Sequence, residues 1–212
     1  MAETIEYDWV ESNLLEPPCT LLNFGCCGDK SVEKFTKKGY KIIGIDRLKD
    51  ERKIENYFAL VKDILKHDIG NEYKCIYSIS AVEHVGLPKY NDGILDEDGD
   101  IKAFRKLYSA LESGGILLMT FPYGSQDIIP EKLPKPVDWR IYDKERLDRM
   151  IKGLDAEVTF FPSISEYIRS GWMKFHRCEP PREFFESIVQ KKPINSGMDE
   201  IFSVACIKVK KP

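Results

Sequence analysis

The chain has 212 residues, which is enough for one α/β domain with a continuous core and few for two. Hydrophobic residues make up 42% of the chain, within the ordinary globular range, so neither a disordered nor a membrane class is indicated. The 32 Lys and Arg residues against 35 Asp and Glu give a net charge of −3, and the lack of a basic excess disfavours nucleic acid as a partner.

The N-terminal residues 1–16 are acidic and contain no basic segment followed by an apolar core. No signal peptide is predicted, and we expect a cytoplasmic protein. The longest apolar runs, such as 116–119, are far shorter than the ~20 residues that span a bilayer. The six cysteines form no CxxC pair, which disfavours a zinc site and predicts free thiols in a reducing compartment.

Short β-rich runs alternate with helical patterns in the first half of the chain. Strands are predicted at residues 20–24, 41–45, 57–61 and 73–79, and helices at 31–38 and 101–111. The pair Gly114-Gly115 is expected to end the second helix as a C-terminal cap. The apolar run 116–121 that follows is typical of a strand buried on both faces of a parallel sheet.

The second half is less regular. A loop with three prolines is predicted at 124–137, a helix at 142–151, a strand near 157–161, a helix at 182–189 and a last strand at 201–209. Strands separated by crossover helices form right-handed βαβ units. We therefore predict an α/β fold with a Rossmann-like doubly wound sheet, mostly parallel with an antiparallel C-terminal strand, in one domain over residues 1–212.

The sharpest local signal is a glycine turn, at Gly25, where the first strand leads into a helix. Glycine lets a ligand approach the backbone closely, and the helix N-terminus beyond it offers free N–H groups. Asp46 follows Gly25 by 21 residues and ends the next strand, a position from which an acidic residue can accept both hydroxyls of an adenosine ribose. The alternative is an ordinary βα turn followed by a surface Asp.

With these pieces in order, the sequence resembles the class I methyltransferases that depend on S-adenosylmethionine (SAM). The resemblance covers about residues 21–154 and is closest to a subgroup of bacteria and archaea whose glycine turn reads GCCG and whose fourth strand leads into SISxxEHVGL. The matching segments are residues 25–28, 44–46, 62–64, 78–87, 111–115, 120–124 and 140–143.

The resemblance implies how SAM would be bound. Gly25, with Cys26 beside it, would lie against the methionine portion, and Asp46 would bind the ribose. Asp63 would take the exocyclic amine of adenine, with Ile64 against the ring, and Ser78 to Ser80 would border the sulfonium. Two positions depart from the family: Asn23, also expected to contact the cofactor, replaces the usual acid, and Cys27 replaces a glycine.

The acid Asp29 favours SAM over a dinucleotide. A pyrophosphate prefers a helix N-terminus without negative charge, and Asp29 is expected to cap the helix after the glycine turn. A nicotinamide-dependent oxidoreductase stays open as one alternative. A non-catalytic module that binds SAM is another, because of Asn23 and Cys27.

The predicted catalytic pair is His84 with Glu83, directly after the fourth strand. The ordinary pKa of histidine suits a general base, and Glu83 would orient it or bind an acceptor group. The alternative is a histidine that only caps or packs a helix start. Related ubiquinone-pathway enzymes hold magnesium with an acid three residues before this pair, but Ser80 stands there, so no metal site is expected. His176 is a weaker candidate, and His67 is expected at the surface.

The acceptor is expected above the carboxyl ends of the strands, covered by residues 87–100, 123–142 and an insertion around 163–197. These segments are rich in aromatic residues with a few cations. The candidates are Tyr90, Tyr123, Trp139, Arg140, Tyr142, Tyr167, Trp172 and Arg177. They suit a small-molecule or glycan-like acceptor methylated on oxygen or nitrogen, although the two tryptophans alternatively only pin loops to the core.

Overall fold

A seven-stranded sheet forms the centre of the computed structural model, which describes residues 2–124, 139–162 and 203–212. The strands are β1 Thr20–Phe24, β2 Lys41–Asp46, β3 Tyr57–Val61, β4 Tyr73–Ile79, β5 Leu111–Tyr123, β6 Asp155–Pro162 and β7 Ser203–Lys210. The helices are α1 Ala2–Asn13, α2 Ser31–Thr36, α3 Gly99–Ser109 and α4 Lys144–Ile151. Within these described ranges, no helix is long and apolar enough to cross a membrane.

The strand order is β3-β2-β1-β4-β5-β7-β6. The pairs from β3 to β5 are all parallel, and β7 runs antiparallel to both β5 and β6. This confirms the predicted α/β class, the mostly parallel sheet and the antiparallel C-terminal strand. The chain moves outward from β1 to β3 and returns to place β4 beside β1, so the strand order reverses between β1 and β4. In open α/β sheets, ligands bind at the carboxyl ends of the strands beside such a reversal.

Both faces of the sheet carry a hydrophobic core, because successive side chains of a strand point to opposite faces. Leu22, Ile76 and Leu117 face α3 and α4, together with Phe104 and Leu147 from those helices. Leu21, Cys75 and Leu118 on the other face pack with Val10 of α1 and Phe35 of α2. This two-sided burial explains the uninterrupted apolar run of β5.

The N-terminal helix α1 was not predicted, because its acidic sequence shows no clear apolar period. Ile5 and Val10 are nevertheless buried, Ile5 against β6 and β7 and Val10 against α2. Glu11 forms ion pairs with Lys34 and Lys38, which fasten the helix to α2 and the residues beyond it. Tertiary contacts, and not local periodicity, therefore place this segment.

Several boundaries differ from the predicted ones. The pair Gly114-Gly115 does not end a helix: α3 stops at Ser109, and the two glycines lie inside β5, beside a shift in its register with β4. Helix α4 begins at Lys144, because the Asp143 carboxylate accepts the Arg146 N–H at 2.8 Å and caps the first turn. The predicted helix at 182–189 lies outside the described residues, as does nearly all of the predicted loop at 124–137.

Candidate functional site

A cavity of about 390 Å³ opens at the carboxyl ends of β1, β2, β3 and β4. This volume is within the usual range for small-molecule sites. Its walls come from the segments that follow these strands, at residues 24–27, 46–48, 63–65 and 80–90. The predicted residues that line it are Gly25, Asp46, Asp63, Ile64, Ser80 and His84. The fold therefore brings together residues that are up to 59 positions apart in sequence, at the place where the strand order reverses.

The turn after β1 requires glycine for two reasons. Gly25 has φ +84°, which side chains of L-residues rarely allow, and its N–H donates to the Ile45 carbonyl at 2.9 Å. A Cβ atom at this position would lie 2.2 Å from the Cβ of Ala81. The backbone after β1 therefore packs directly against the segment after β4.

The side chain of Cys26 does not reach the cavity. It is fully buried and lies over β2, where a Cβ atom at Gly44 would be 2.6 Å from its Sγ and 2.9 Å from the Tyr57 ring. Burial raises the pKa of the Cys26 thiol to about 12. Its neighbour Cys27 lines the cavity instead, so the expectation that the Cys26 side chain faces a ligand is corrected: Cys26 packs over β2.

Asp46 is held in place by two backbone amides. Its Oδ2 accepts the Cys27 N–H at 3.0 Å, and its Oδ1 accepts the Leu48 N–H at 2.9 Å. A carboxylate offers about four acceptor sites, so each oxygen can still accept a further hydrogen bond. The end of β2 thus presents an oriented acceptor suited to a pair of neighbouring hydroxyl groups.

Asp63 and Ile64 form the next part of the wall, directly after β3. Asp63 accepts the Leu65 N–H at 3.0 Å, and its other oxygen lies 3.8 Å from Arg47 Nε and 3.5 Å from Lys66 Nζ. Ile64 is 2% exposed and contributes an apolar surface. An apolar wall beside a carboxylate suits a flat ring that carries an amine donor.

A short loop closes the far side of the cavity. The 3-10 helix Pro88–Tyr90 contributes Lys89 and Tyr90 to the lining, and the Tyr90 ring packs edge-on against His84 with 4.9 Å between ring centroids. Asp92 then bonds to Arg47 at 2.9 Å and to Lys66 at 2.7 Å. The loop is therefore tied to the segments that follow β2 and β3.

Asn23 and Ser78 lie behind the cavity wall, fully or almost fully buried. Asn23 donates from Nδ2 to the Asp29 carboxylate at 2.7 Å, and that carboxylate also accepts the N–H and hydroxyl of Ser31 at the start of α2. Burial raises the pKa of Asp29. Asn23 thus positions an acid beneath the glycine turn and does not itself line the cavity.

Glu83 is also buried, at 2% exposure, and burial raises its pKa well above the usual range. Its backbone carbonyl accepts from Arg140, whose guanidinium also donates to the carbonyls of Val85 and Asp96. Tyr142 is buried with its hydroxyl on Asp100 at 2.7 Å. The expectation that Arg140 and Tyr142 face an acceptor is therefore wrong: Arg140 holds the segment around Glu83 in place, and Tyr142 bonds to Asp100 of α3.

Arg52 is a residue of the site that the sequence did not indicate. Its guanidinium donates to the carbonyls of Cys26 at 2.7 Å and Asp29 at 2.8 Å, and it pairs with Asp50. This hydrogen bonding lowers the pKa of Asp50 to about 2. A cation in a run of charged residues gives no sequence signal for this role, because the contact spans 26 positions.

Among the described residues, His67 does not line the cavity. His67 is exposed, and its Nδ1 accepts the Asp63 N–H at 3.0 Å, which stabilises the turn after β3. His176 and the aromatic candidates Tyr167 and Trp172 lie outside the described residues. In the ranges that the structure describes, no group of three His, Cys, Asp or Glu residues could hold a metal ion.

Comparison with known proteins identifies a family and a fold. Residues 32–192 match the model of a family described as Caenorhabditis protein of unknown function, DUF268. No curated protein matches the chain. The TehB-like SAM-dependent methyltransferase of Corynebacterium glutamicum is 16% identical with a TM-score of 0.59, over 98% of this chain and 88% of that one.

Two other solved structures share the fold. Phosphoethanolamine N-methyltransferase 2 of Haemonchus contortus, in complex with S-adenosyl-L-methionine, is 15% identical with a TM-score of 0.61. The match covers 96% of this chain and 51% of that one, so this chain spans about half its length. The [4+2]-cyclase SpnF is 16% identical with a TM-score of 0.64, over 97% and 80% of the two chains. These likenesses show the Rossmann-like fold.

Proposed function

We propose that this member of the DUF268 family, described as Caenorhabditis protein of unknown function, is a SAM-dependent methyltransferase. The reaction moves the methyl group from the sulfonium of SAM to an oxygen or nitrogen of a small-molecule or glycan-like acceptor. The observation that carries the proposal is the cavity in which Gly25, Asp46 and Asp63 follow three neighbouring strands.

Each wall of the cavity matches one part of SAM. Gly25 and Cys27 lie against the methionine portion, and Asp46 accepts the two ribose hydroxyls. Asp63 accepts the exocyclic amine of adenine, with Ile64 against the ring. Ser80 borders the sulfonium, with Ser78 behind it. The likeness to solved structures named as SAM-dependent or containing SAM supports this assignment.

His84 is proposed as the general base. It lines the cavity together with Ser80. As the acceptor oxygen or nitrogen attacks the methyl carbon, the carbon–sulfur bond breaks and its electron pair stays on sulfur. The acceptor's proton then passes to the imidazole. Glu83 acts by positioning this segment, because its carboxyl is buried away from the cavity lining.

The domain organisation belongs to the same proposal. The chain would form a single methyltransferase domain over residues 1–212. The segment around 163–197, which lies outside the described residues, would cover the acceptor. No metal ion is needed in this scheme, because the sulfonium already activates the methyl carbon and the protein supplies orientation and a base.

Two alternatives stay open, and each has an observation in its favour. The glycine turn also suits a nicotinamide cofactor, although the acid Asp29 beneath it disfavours a pyrophosphate. The second alternative is a module that binds SAM without methyl transfer. Asn23 and Cys27 depart from the pattern of the class I methyltransferases, and a [4+2]-cyclase shares the fold.

Calorimetric titration with S-adenosylhomocysteine (SAH) tests the cofactor assignment. Wild-type protein is expected to bind SAH, and Asp46→Ala to lose at least about a hundredfold in affinity, because two charge-assisted hydrogen bonds to the ribose disappear. Asp68→Ala is the matched control, since Asp68 likewise accepts the N–H two residues on, at 3.0 Å, outside the cavity. Binding of NAD without binding of SAH, or unchanged affinity in Asp46→Ala, would contradict the assignment.

Turnover with acceptors from compound libraries tests the role of His84. His84→Ala is expected to slow methyl transfer by about a hundredfold while SAH affinity changes by less than about threefold, because general bases contribute roughly 10²–10⁴ in rate. Lys144→Ala, at an exposed residue of α4 outside the cavity, is the control. A wild-type rate in His84→Ala would remove it as the base.

A further inference from the structure

The N-terminal helix α1 delivers a buried carboxylate to the end of β4. Glu6 is 5% exposed, and its Oε1 accepts the Ser80 hydroxyl at 2.5 Å and the Thr120 hydroxyl at 2.6 Å. Oxygen–oxygen distances in this range are typical of hydroxyl groups that donate to an ionised carboxylate. Glu6 thus connects α1 to two neighbouring strands, 74 and 114 positions away in sequence.

The three residues form a closed set of hydrogen bonds. While Thr120 donates its hydroxyl proton to Glu6, the oxygen of the same hydroxyl accepts the Ser80 N–H at 3.1 Å. Ser80 therefore has both its backbone N–H and its side chain fixed. This matters because Ser80 has φ +44°, a left-handed conformation that is unfavourable for residues other than glycine.

The strained residue lies in the cavity wall. Ser80 and Ala81 both line the cavity, and Ala81 is the residue against which Gly25 packs without room for a Cβ atom. The conformation of Ser80 thus determines how the segment after β4 meets the glycine turn after β1. The hydrogen bonds to Glu6 hold that conformation from behind the wall.

We propose that Glu6 is a positioning residue of the methyl-transfer site, which acts through Ser80 and places a negative charge directly behind the cavity wall that borders the sulfonium. This inference rests on the proposed function, because it assumes that a sulfonium occupies the cavity beside Ser80. A ligand atom in contact with the Ser80 hydroxyl lies within about 6 Å of the Glu6 carboxylate, close enough for direct charge–charge attraction.

A negative charge behind Ser80 should affect binding of SAM and binding of SAH differently. SAM carries a positive sulfonium, whereas SAH carries a neutral thioether and otherwise the same groups. A carboxylate behind Ser80 favours the positive form, so it strengthens binding of SAM more than binding of SAH. A role limited to packing would support both ligands equally, because they fill the same walls.

The test compares the two affinities in the full-length chain. Glu6→Gln keeps the shape and the accepting oxygen but removes the charge. We expect the dissociation constant for SAM to rise about tenfold and that for SAH to change by less than about threefold. Calorimetry with each ligand, on protein whose melting temperature is checked in parallel, measures both.

Two further variants serve as controls. Glu11→Gln makes the same chemical change on the same helix and removes ion pairs to Lys34 and Lys38, outside the cavity lining, so it should leave the ratio of SAM to SAH affinity unchanged. Ser80→Ala removes the hydroxyl that connects Glu6 to the cavity. Combined with Ser80→Ala, Glu6→Gln should cost less than it does alone, because the two residues act as one unit.

The outcomes separate the inference from the function on which it rests. If wild-type protein binds neither SAM nor SAH, the proposed function fails and the inference falls with it. If the wild type binds both ligands and Glu6→Gln weakens them by the same factor, or weakens neither, the proposed function stands and the role of Glu6 is overturned. An altered ratio in Glu11→Gln would also overturn it, because the effect would then come from the docking of α1.

Discussion

The acidic residues at the site differ in how deeply their carboxyl groups are buried. Asp46 and Asp63 line the cavity and accept backbone N–H groups, which fixes their direction without closing off their oxygens. Glu83 is almost completely buried, and among the described residues its Oε2 has no hydrogen-bond partner. Burial disfavours the charged form of a carboxyl group, and this raises the pKa of Glu83 well above its usual range.

The raised pKa of Glu83 predicts a pH dependence of stability. The folded state retains a proton that the unfolded state releases above the ordinary glutamate pKa of about 4.3, so the free energy of unfolding falls as pH rises from there toward the raised pKa. Glu83→Gln cannot release that proton. Urea unfolding between pH 5 and 8 is expected to show a shallower fall in stability for Glu83→Gln, by up to about 1.4 kcal/mol per pH unit.

Glu51→Gln is the control for this comparison, because Glu51 is exposed and pairs only with Lys49 among the described contacts. Its pH profile should follow that of the wild type. Parallel profiles for wild type and Glu83→Gln would show that Glu83 is ionised in the folded protein.

The connection from β2 to β3 stabilises the glycine turn after β1. It contains no helix, yet Arg52 joins it to the carbonyls of Cys26 and Asp29, and Asp50 accepts from both Arg52 and the Tyr57 hydroxyl. The planar guanidinium reaches these partners at once, which a lysine ammonium cannot do. The shape of the turn thus depends on a loop as well as on its own glycines.

Replacing this guanidinium should weaken cofactor binding without removing any group that lines the cavity. Arg52→Lys is expected to raise the dissociation constant for SAH about tenfold, because the two carbonyls lose a fixed common donor. Arg105→Lys is the matched control: Arg105 also donates to a backbone carbonyl, that of Lys152 at 2.8 Å, but away from the cavity. Equal affinities for wild type and Arg52→Lys, measured well below the melting temperature, would show that SAH binding does not depend on the Arg52 guanidinium.

For the molecule as a whole, the fold was predictable where local patterns were strong. The β-rich runs of β1, β2 and β4 indicated strands, the apolar run of β5 indicated a strand buried on both faces, and the glycine turn with Asp46 indicated the end of the sheet at which the cavity opens. The strand order did not follow from these patterns, because pairing depends on contacts between distant segments.

The residues that sequence reasoning missed share one property. Glu6 and Arg52, which were not predicted, and Arg140, which was assigned to the acceptor, each act through contacts with distant segments, with partners 23 to 114 positions away. Such contacts leave no period or spacing in the sequence. Arg140 shows the error that follows: a cation in a loop suggested an exposed binding group, but the folded chain uses it to satisfy backbone carbonyls.

The close packing of Cys26 over Gly44 restricts how the molecule can evolve. Because a Cβ atom at position 44 would lie 2.6 Å from the Cys26 sulfur and 2.8 Å from its Cβ, a larger residue cannot appear in the middle of β2 while residue 26 keeps its side chain there. The two positions are therefore not independent. A lineage that gains a methyl group at position 44 must first make room at both residue 26 and Tyr57, whose ring would lie 2.9 Å from the new Cβ atom, so related chains should differ at these positions together.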